Sequence, residues 1–255
     1  MSAITIKIFP DSRSLSIFAA ELFSQLTHAA VEQRGKFLTA LSGGSTPVAL
    51  YHLLAQAPYR AGLPWDQQYF FWGDERCVPA DDAESCYHQA YQALLGQVPV
   101  PVENIFRVKG ELGPIPAAED YARLLKTIAE PGKIWPRFDL VLLGLGADGH
   151  TASLFPDSVE TSGVATVAVS ANYQDRPAQR VSLTPDVINA ARNVVFLAAG
   201  AEKAQALSAT VTGRREPFRL PAQRIHPDEG RLWWLVDEAA ASLLPDSIEG
   251  LELQR

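Results

Sequence analysis

The sequence predicts an α/β fold, a three-layer α/β/α sandwich built on a mostly parallel sheet. Three observations lead there. Strand-like and helix-like segments alternate from one end of the chain to the other, the pattern that crossover helices between parallel strands produce. Several strand candidates are short, largely apolar runs, such as 37–41 and 138–143, as strands covered on both faces must be. The length of 255 residues, 47% of them hydrophobic and 20% charged, is enough to bury a sizeable core.

Residues 4–9 form the first strand. Leu15, Phe18, Ala19, Leu22 and Leu26 then recur at helical spacing, so 11–33 is an amphipathic helix. A buried strand at 37–41 runs into Ser42-Gly43-Gly44-Ser45-Thr46 and a helix opened by Pro47. A third strand covers 69–72 and empties into Gly73-Asp74-Glu75-Arg76. Ser85 caps a helix to 95, and a further helix covers 117–129. The strand at 138–143 delivers Gly144-Leu145-Gly146-Ala147-Asp148-Gly149-His150. Short strands follow at 164–170 and 180–183. Thr184-Pro185-Asp186 combines a capping hydroxyl, a first-turn proline and a first-turn acid, which together start a helix. A buried strand at 193–199, a helix at 201–212, a strand at 232–236 and a helix at 238–244 complete the chain. With no repeat, no low-complexity tract and only short proline-containing loops, residues 1–255 are expected to form a single domain.

The net charge of −7 argues against a general nucleic-acid binder, which carries a basic balance. It leaves room for a small anionic substrate in a local basic pocket. No apolar run approaches the ~18 residues of a membrane helix, and the first ten residues lack the pattern of a signal peptide. A cytoplasmic protein, without membrane or nucleic-acid partners, is the expectation. Cys77 and Cys86 make neither a disulfide framework nor a zinc motif.

In open parallel sheets, ligands bind beyond the carboxyl ends of the strands. Four strand ends here are polar and glycine-rich, and they should converge. Gly43, Gly44, Ser45 and Thr46 can turn backbone amides and hydroxyls toward an anion at a helix start. The same residues also read as an ordinary capped turn, or as an imperfect nucleophile elbow with Pro47 where a small residue belongs. Arg76 offers a guanidinium fork that matches phosphate, or a structural ion pair. Lys203 opposes the dipole of its helix unless an anion is bound there; otherwise it is a surface lysine. Arg180 is a further candidate cation.

Gly144, Gly146 and Gly149 satisfy the G-x-G-x-x-G spacing of a dinucleotide turn. Such a turn needs an acid at the end of the next strand, ~20 residues on, and the strand at 164–170 ends in Ser170-Ala171-Asn172. Asp148 would also point negative charge at a pyrophosphate. The better reading is a histidine placed for proton transfer, His150, with Asp148 to orient it. No third or fourth ligand at suitable spacing accompanies them as a metal site. Together these residues predict a hydrolase or isomerase acting without cofactor on a small phosphorylated, sugar-like substrate.

Several segments, in order, resemble the 6-phosphogluconolactonases of the glucosamine/galactosamine-6-phosphate isomerase superfamily. They are Leu41-Ser42-Gly43-Gly44-Ser45-Thr46-Pro47, the run from Trp72 to Pro79, the run from Gly144 to Pro156, Arg180-Val181-Ser182-Leu183-Thr184, and Gly200-Ala201-Glu202-Lys203-Ala204. The resemblance spans roughly residues 5–240. It implies a Rossmann-like, sugar-phosphate isomerase-like sandwich. It also implies hydrolysis of 6-phospho-D-glucono-1,5-lactone in the oxidative pentose phosphate pathway, with no metal or nucleotide. His150 would then be the general base that activates water, and Asp148 would orient it. The 43–46 turn, Arg76 and Lys203 would hold the phosphate, with Arg180 a further candidate; a monomer or weak homodimer is expected. One departure is Ser85-Cys86-Tyr87, where the family usually has Ser-Asn-Tyr.

Two alternatives stand beside it, a related enzyme and a reading from another class. A glucosamine-6-phosphate deaminase/isomerase continues after its histidine with Ala-Phe-Asn-Glu-Pro, and here Ala152-Ser153-Leu154-Phe155-Pro156 carries no acid. A non-catalytic sugar-phosphate sensor often adds a DNA-binding module, for which 255 residues leave no room.

Overall fold

The computed structural model describes residues 4–158, 161–248 and 252–254. Its strands are β1 (Ile4–Phe9), β2 (Phe37–Leu41), β3 (Gln68–Trp72), β4 (Asp74–Arg76), β5 (Leu140–Gly144), β6 (Thr166–Ser170), β7 (Gln179–Leu183), β8 (Asn193–Ala198), β9 (Arg231–Asp237) and β10 (Glu252–Gln254). Its helices are α1 (Ser12–Arg34), α2 (Ser45–Leu54), α3 (Tyr59–Gly62), α4 (Cys86–Ala90), α5 (Pro114–Ile128), α6 (Pro185–Asn189), α7 (Ala204–Thr212) and α8 (Glu238–Ala241). No helix among the described residues is long and apolar enough to cross a membrane.

Seven strands form one sheet in the order β10-β1-β9-β8-β5-β2-β3, and every ladder in it is parallel. The apolar runs account for its centre. All five residues of β2 are buried, and only Gly144 of β5 is not. Phe196 of β8 stacks on Trp234 of β9 at 3.8 Å. From the adjacent pair β2 and β5, the chain builds outward to β3 on one side and to β8 and β9 on the other. Such a reversal opens a crevice at the carboxyl ends of the two diverging strands. The turns after β2 and β5 are the two glycine-rich segments.

The first helix follows its sequence signals: Asp11 accepts the Ser14 N–H at 2.7 Å, and Gly35 closes the helix at φ 70°. Other elements depart from expectation. Asp74 to Arg76, expected as a loop, form β4 in a second, antiparallel sheet of order β4-β7-β6. Gly73 hinges the two sheets, donating to Leu41 O and accepting from Leu183 N, both at 2.8 Å. Three polar residues carry no strand pattern, so only the pairing partner reveals β4. The Thr184 hydroxyl does not cap α6; it donates to Val164 O at 2.6 Å and ties the start of α6 to the segment leading into β6. The expected last helix shrinks to α8, capped by Asp237 through the Ala240 N–H at 2.8 Å. The edge strand β10 has no counterpart in the sequence reading.

At the opposite end of the sheet, Asp139 pins the amino ends of three strands. Its carboxylate accepts from Leu38 N at 2.9 Å, pairs with Arg34 at 2.9 Å, and lies 3.4 Å from Arg192 Nε. Asp139→Ala would leave a buried amide and two arginines without their acceptor. A loss of about 2–4 kcal/mol is expected, read as a lower urea midpoint with an unchanged slope.

Candidate active site

A cleft of about 320 Å³ opens at the carboxyl ends of β2, β5 and β8, and the small sheet supplies its far wall. Gly43, Gly44, Ser45 and Thr46 line one side. The turn is shaped by its neighbours. The buried Tyr51 hydroxyl of α2 accepts from Ser42 N at 3.0 Å and donates to Ser42 O at 2.7 Å. Gly44 adopts φ 106° and ψ 167°, a conformation open to glycine and strained for other residues. At Gly43, a Cβ would sit 2.5 Å from the Cys86 sulfur. The bare backbone is therefore what lets the buried Cys86 close the turn from behind. Beyond Gly44, α2 begins at Ser45 with its first N–H groups at the cleft, as an anion site requires. The Gly44 N–H itself reaches Gln89 Oε1 at 3.2 Å.

From the small sheet come three adjacent charges with different duties. The Glu75 carboxylate accepts four hydrogen bonds, from Arg76 N, Cys86 N, Tyr87 N and the Ser85 hydroxyl, at 2.7–3.0 Å. Burial nonetheless pushes its carboxyl up. It organises the start of α4 rather than facing the cleft. Asp74 is buried, accepts the Ser153 hydroxyl at 2.6 Å and lines the cleft. Arg76 donates to Glu84 O at 2.5 Å, and its Nε has no partner among the described residues. Burial opposes its charge, but the surrounding acids Asp74, Glu75 and Glu84 more than offset that.

Across from Arg76, Arg180 is only 3% exposed. Its Nε donates to Pro177 O at 3.0 Å, and Nη2 has no partner among the described residues. Burial pulls its pKa down, with Asp74 opposing. Lys203 enters from the short 3₁₀ turn at 201–203 after β8, with Glu202 Oε1 at 3.9 Å. With Arg176 from the hairpin before β7, four cations thus reach one cleft, the others coming from β4, β7 and the turn after β8.

The loop after β5 brings His150 in. Gly146 N donates to His150 O at 2.8 Å, and Gly149, at φ 85°, donates back to Gly146 O at 3.0 Å. The loop closes on itself and returns His150 toward the sheet. Asp148 Oδ1 accepts from His150 N at 3.1 Å and from Nδ1 at 2.5 Å. The carboxylate therefore holds the proton on Nδ1 and leaves the Nε2 lone pair available. Burial raises the Asp148 pKa, but hydrogen bonding to His150 outweighs it, and the net shift is downward. Phe155 stacks on the imidazole at 4.4 Å, and the Tyr173 ring meets it edge-on at 4.6 Å.

Every residue singled out from sequence gathers here. Gly43, Gly44, Ser45, Thr46, Arg76, His150, Arg180 and Lys203 line the cleft, and Asp148 stands behind His150. Sequence reasoning missed Asp74, Tyr173, Gln174, Arg176 and Glu202, which also line it. Asp74 lay inside a segment already quoted, and its place at a strand end was the available signal. Tyr173, Gln174 and Arg176 sit on a hairpin whose sequence carries no chemistry-bearing pattern.

Comparison with known proteins places the fold and the family. The family model for glucosamine-6-phosphate isomerases/6-phosphogluconolactonase matches residues 10–234. The chain is 37% identical over 243 residues to the 6-phosphogluconolactonase of Nostoc sp., covering 94% of this chain and 98% of that protein. It is 41% identical over 218 residues to the Synechocystis sp. 6-phosphogluconolactonase, covering 84% and 88%. The solved 6-phosphogluconolactonase of Trypanosoma brucei superposes with a TM-score of 0.85 at 31% identity, over 96% of this chain and all of that one. A monomeric glucosamine-6-phosphate deaminase shares the fold alone, with a TM-score of 0.80 at 19% identity over 94% and 99%. With a matching family model across most of its length and relatives above 30% identity over most of both chains, the chain belongs to the glucosamine-6-phosphate isomerase/6-phosphogluconolactonase family.

Proposed function

We propose that the cleft hydrolyses 6-phospho-D-glucono-1,5-lactone to 6-phospho-D-gluconate, with His150 as general base. One observation carries this reading: an imidazole with its Nδ1 held by Asp148 lines the same cleft as the glycine-rich start of α2 and four cations, Arg76, Arg176, Arg180 and Lys203. The phosphate is held by the 43–46 turn with Lys203 and Arg76. Arg180, whose guanidinium lies 5.3 Å over the Phe155 ring that stacks on His150, stands on the histidine side of the cleft. There it can stabilise the negative charge that develops on the carbonyl oxygen.

His150 Nε2 takes a proton from water as the oxygen attacks the lactone carbonyl, giving a tetrahedral oxyanion. Collapse of that intermediate breaks the bond to the ring oxygen, which receives the proton back from the imidazolium. Asp148 stays ionised throughout and stabilises the transient cation. A δ-lactone is an activated ester, so one base and a positioned water suffice, and Ser45 binds rather than attacks.

The deaminase reading lacks its acid. Residues 152–156 carry none, and Glu75 is committed to four hydrogen bonds behind the cleft. The test is release of phosphogluconate from freshly made lactone above the spontaneous rate, with no ammonia released from glucosamine 6-phosphate. The reverse pattern would assign the chain to the other branch of the family. Lys203→Ala is expected to raise KM about 10–100-fold, the value of one charge-assisted hydrogen bond, with kcat little changed. A KM within twofold of wild type would remove Lys203 from the phosphate site.

A further inference from the structure

Among the described residues, three groups hold the His150 ring, and they come from three places. Asp148 fixes Nδ1 from within the loop, and Phe155 lies against the ring face at 4.4 Å and 30°. The third, Tyr173, arrives from the hairpin joining β6 to β7 and meets the imidazole edge-on, at 4.6 Å and 78°. A hydrogen bond to Nδ1 leaves the ring free to tilt about that point, and Phe155 blocks the tilt on one side only.

The hairpin has little of its own to keep it in place. Asn172, Gln174, Asp175 and Arg176 are all exposed, and Tyr173 is its half-buried anchor. Its tip is a two-residue turn with Gln174 at φ 51° and Asp175 at φ 55°. This is the left-handed geometry that a tight hairpin demands, adopted without the glycine that would make it easy. Tyr173 O accepts from Arg176 N at 3.1 Å across the turn. At its base Ala171 N donates to Ala178 O at 2.9 Å and Pro177 O accepts from Arg180 Nε at 3.0 Å. A further tie, nearer the tip, leaves the hairpin altogether: Arg176 Nη1 donates to Glu84 Oε2 at 3.1 Å. Glu84 in turn sits on Arg76, through its carbonyl at 2.5 Å and its carboxylate at 3.6 Å.

We propose that Tyr173 is a positioning residue for His150, and that the Arg176–Glu84 ion pair is the clasp that seats it. The hairpin covers the base, and its fastening lies on the β4 side of the same small sheet, beside Arg76, a cation that lines the cleft. The ring does the positioning; among the described residues the Tyr173 hydroxyl makes no hydrogen bond that could contribute. This rests on His150 acting as the base.

Steady-state kinetics on the full chain test it. Tyr173→Ala should lower kcat about tenfold, the scale of a small misplacement of a reacting group, with KM within twofold. Tyr173→Phe should restore kcat to within twofold of wild type, since it keeps the ring and drops only the hydroxyl. Glu84→Gln should lower kcat by a smaller factor, and that factor should vanish in a Tyr173→Ala background, because both changes release the same contact. Three results would overturn the proposal: an unchanged kcat in Tyr173→Ala, no rescue by phenylalanine, or kcat losses that multiply in the double variant. If instead His150→Ala retained activity, the general-base reading would fail first, and the two failures are told apart by that control.

Discussion

His150→Ala is expected to lower kcat on 6-phosphogluconolactone by about 10²–10⁴-fold, the usual worth of a positioned general base. Phosphogluconate should still bind with an affinity within about threefold of wild type. The separation follows from where the groups stand. The anion turn, Arg76 and Lys203 are held by β2, β4 and the end of β8, and none of them hydrogen-bonds to His150. In the proposed mechanism, removing the imidazole deletes the acceptor for the water's proton and leaves the proposed phosphate contacts as they were. Because the substrate opens spontaneously, the measurement needs fresh lactone and subtraction of the uncatalysed rate. Turnover within tenfold of wild type would end the general-base mechanism. A parallel collapse in product affinity would instead mean that His150 holds substrate.

The strand-end chemistry was legible because each piece of it is local. A glycine pair before a helix start, an arginine at a strand end, and an Asp-Gly-His after an apolar run announce themselves within a few residues. The parallel sheet was legible for a related reason: buried strands are continuous apolar runs bounded by turns. What stayed hidden depends on partners far away in sequence. Asp74 to Arg76 become a strand only because β7, about a hundred residues on, offers a pairing edge. Thr184 sits at the N-cap of α6, but its hydroxyl makes no capping bond and instead donates to Val164 O, twenty residues back. Tyr173 is an ordinary exposed-loop aromatic in sequence; its meaning comes from the histidine 23 positions earlier. Cys86 makes the same point from the other side. As a thiol it has no amide to offer the anion turn, and it packs on Gly43 while Gln89 supplies the oxygen to Gly44 N.

Gly146→Ala is expected to lower kcat by two orders of magnitude or more while leaving the fold intact. The three glycines that match G-x-G-x-x-G are not equivalent in this loop. A Cβ on Gly144 would meet open space. Gly149 is fixed by its φ of 85°, and a Cβ there would also press on Leu220. Gly146 has no positive φ to excuse it. Its constraint is the neighbour: a Cβ would fall on the His150 ring and against Asp148 Oδ1 at 2.5 Å. Alanine there costs the backbone little, so the thermal midpoint should move only by a few degrees, on the order of 1 kcal/mol. The ring must swing away from the carboxylate, however, and a displacement of ~1 Å at a reacting group costs about 100-fold. In a dinucleotide turn the second glycine is bare so that a pyrophosphate can approach the backbone. Here it is bare so that the histidine and its carboxylate can. Wild-type turnover in Gly146→Ala would show that the dyad tolerates displacement, and would undo the reading of this loop as the seat of the base.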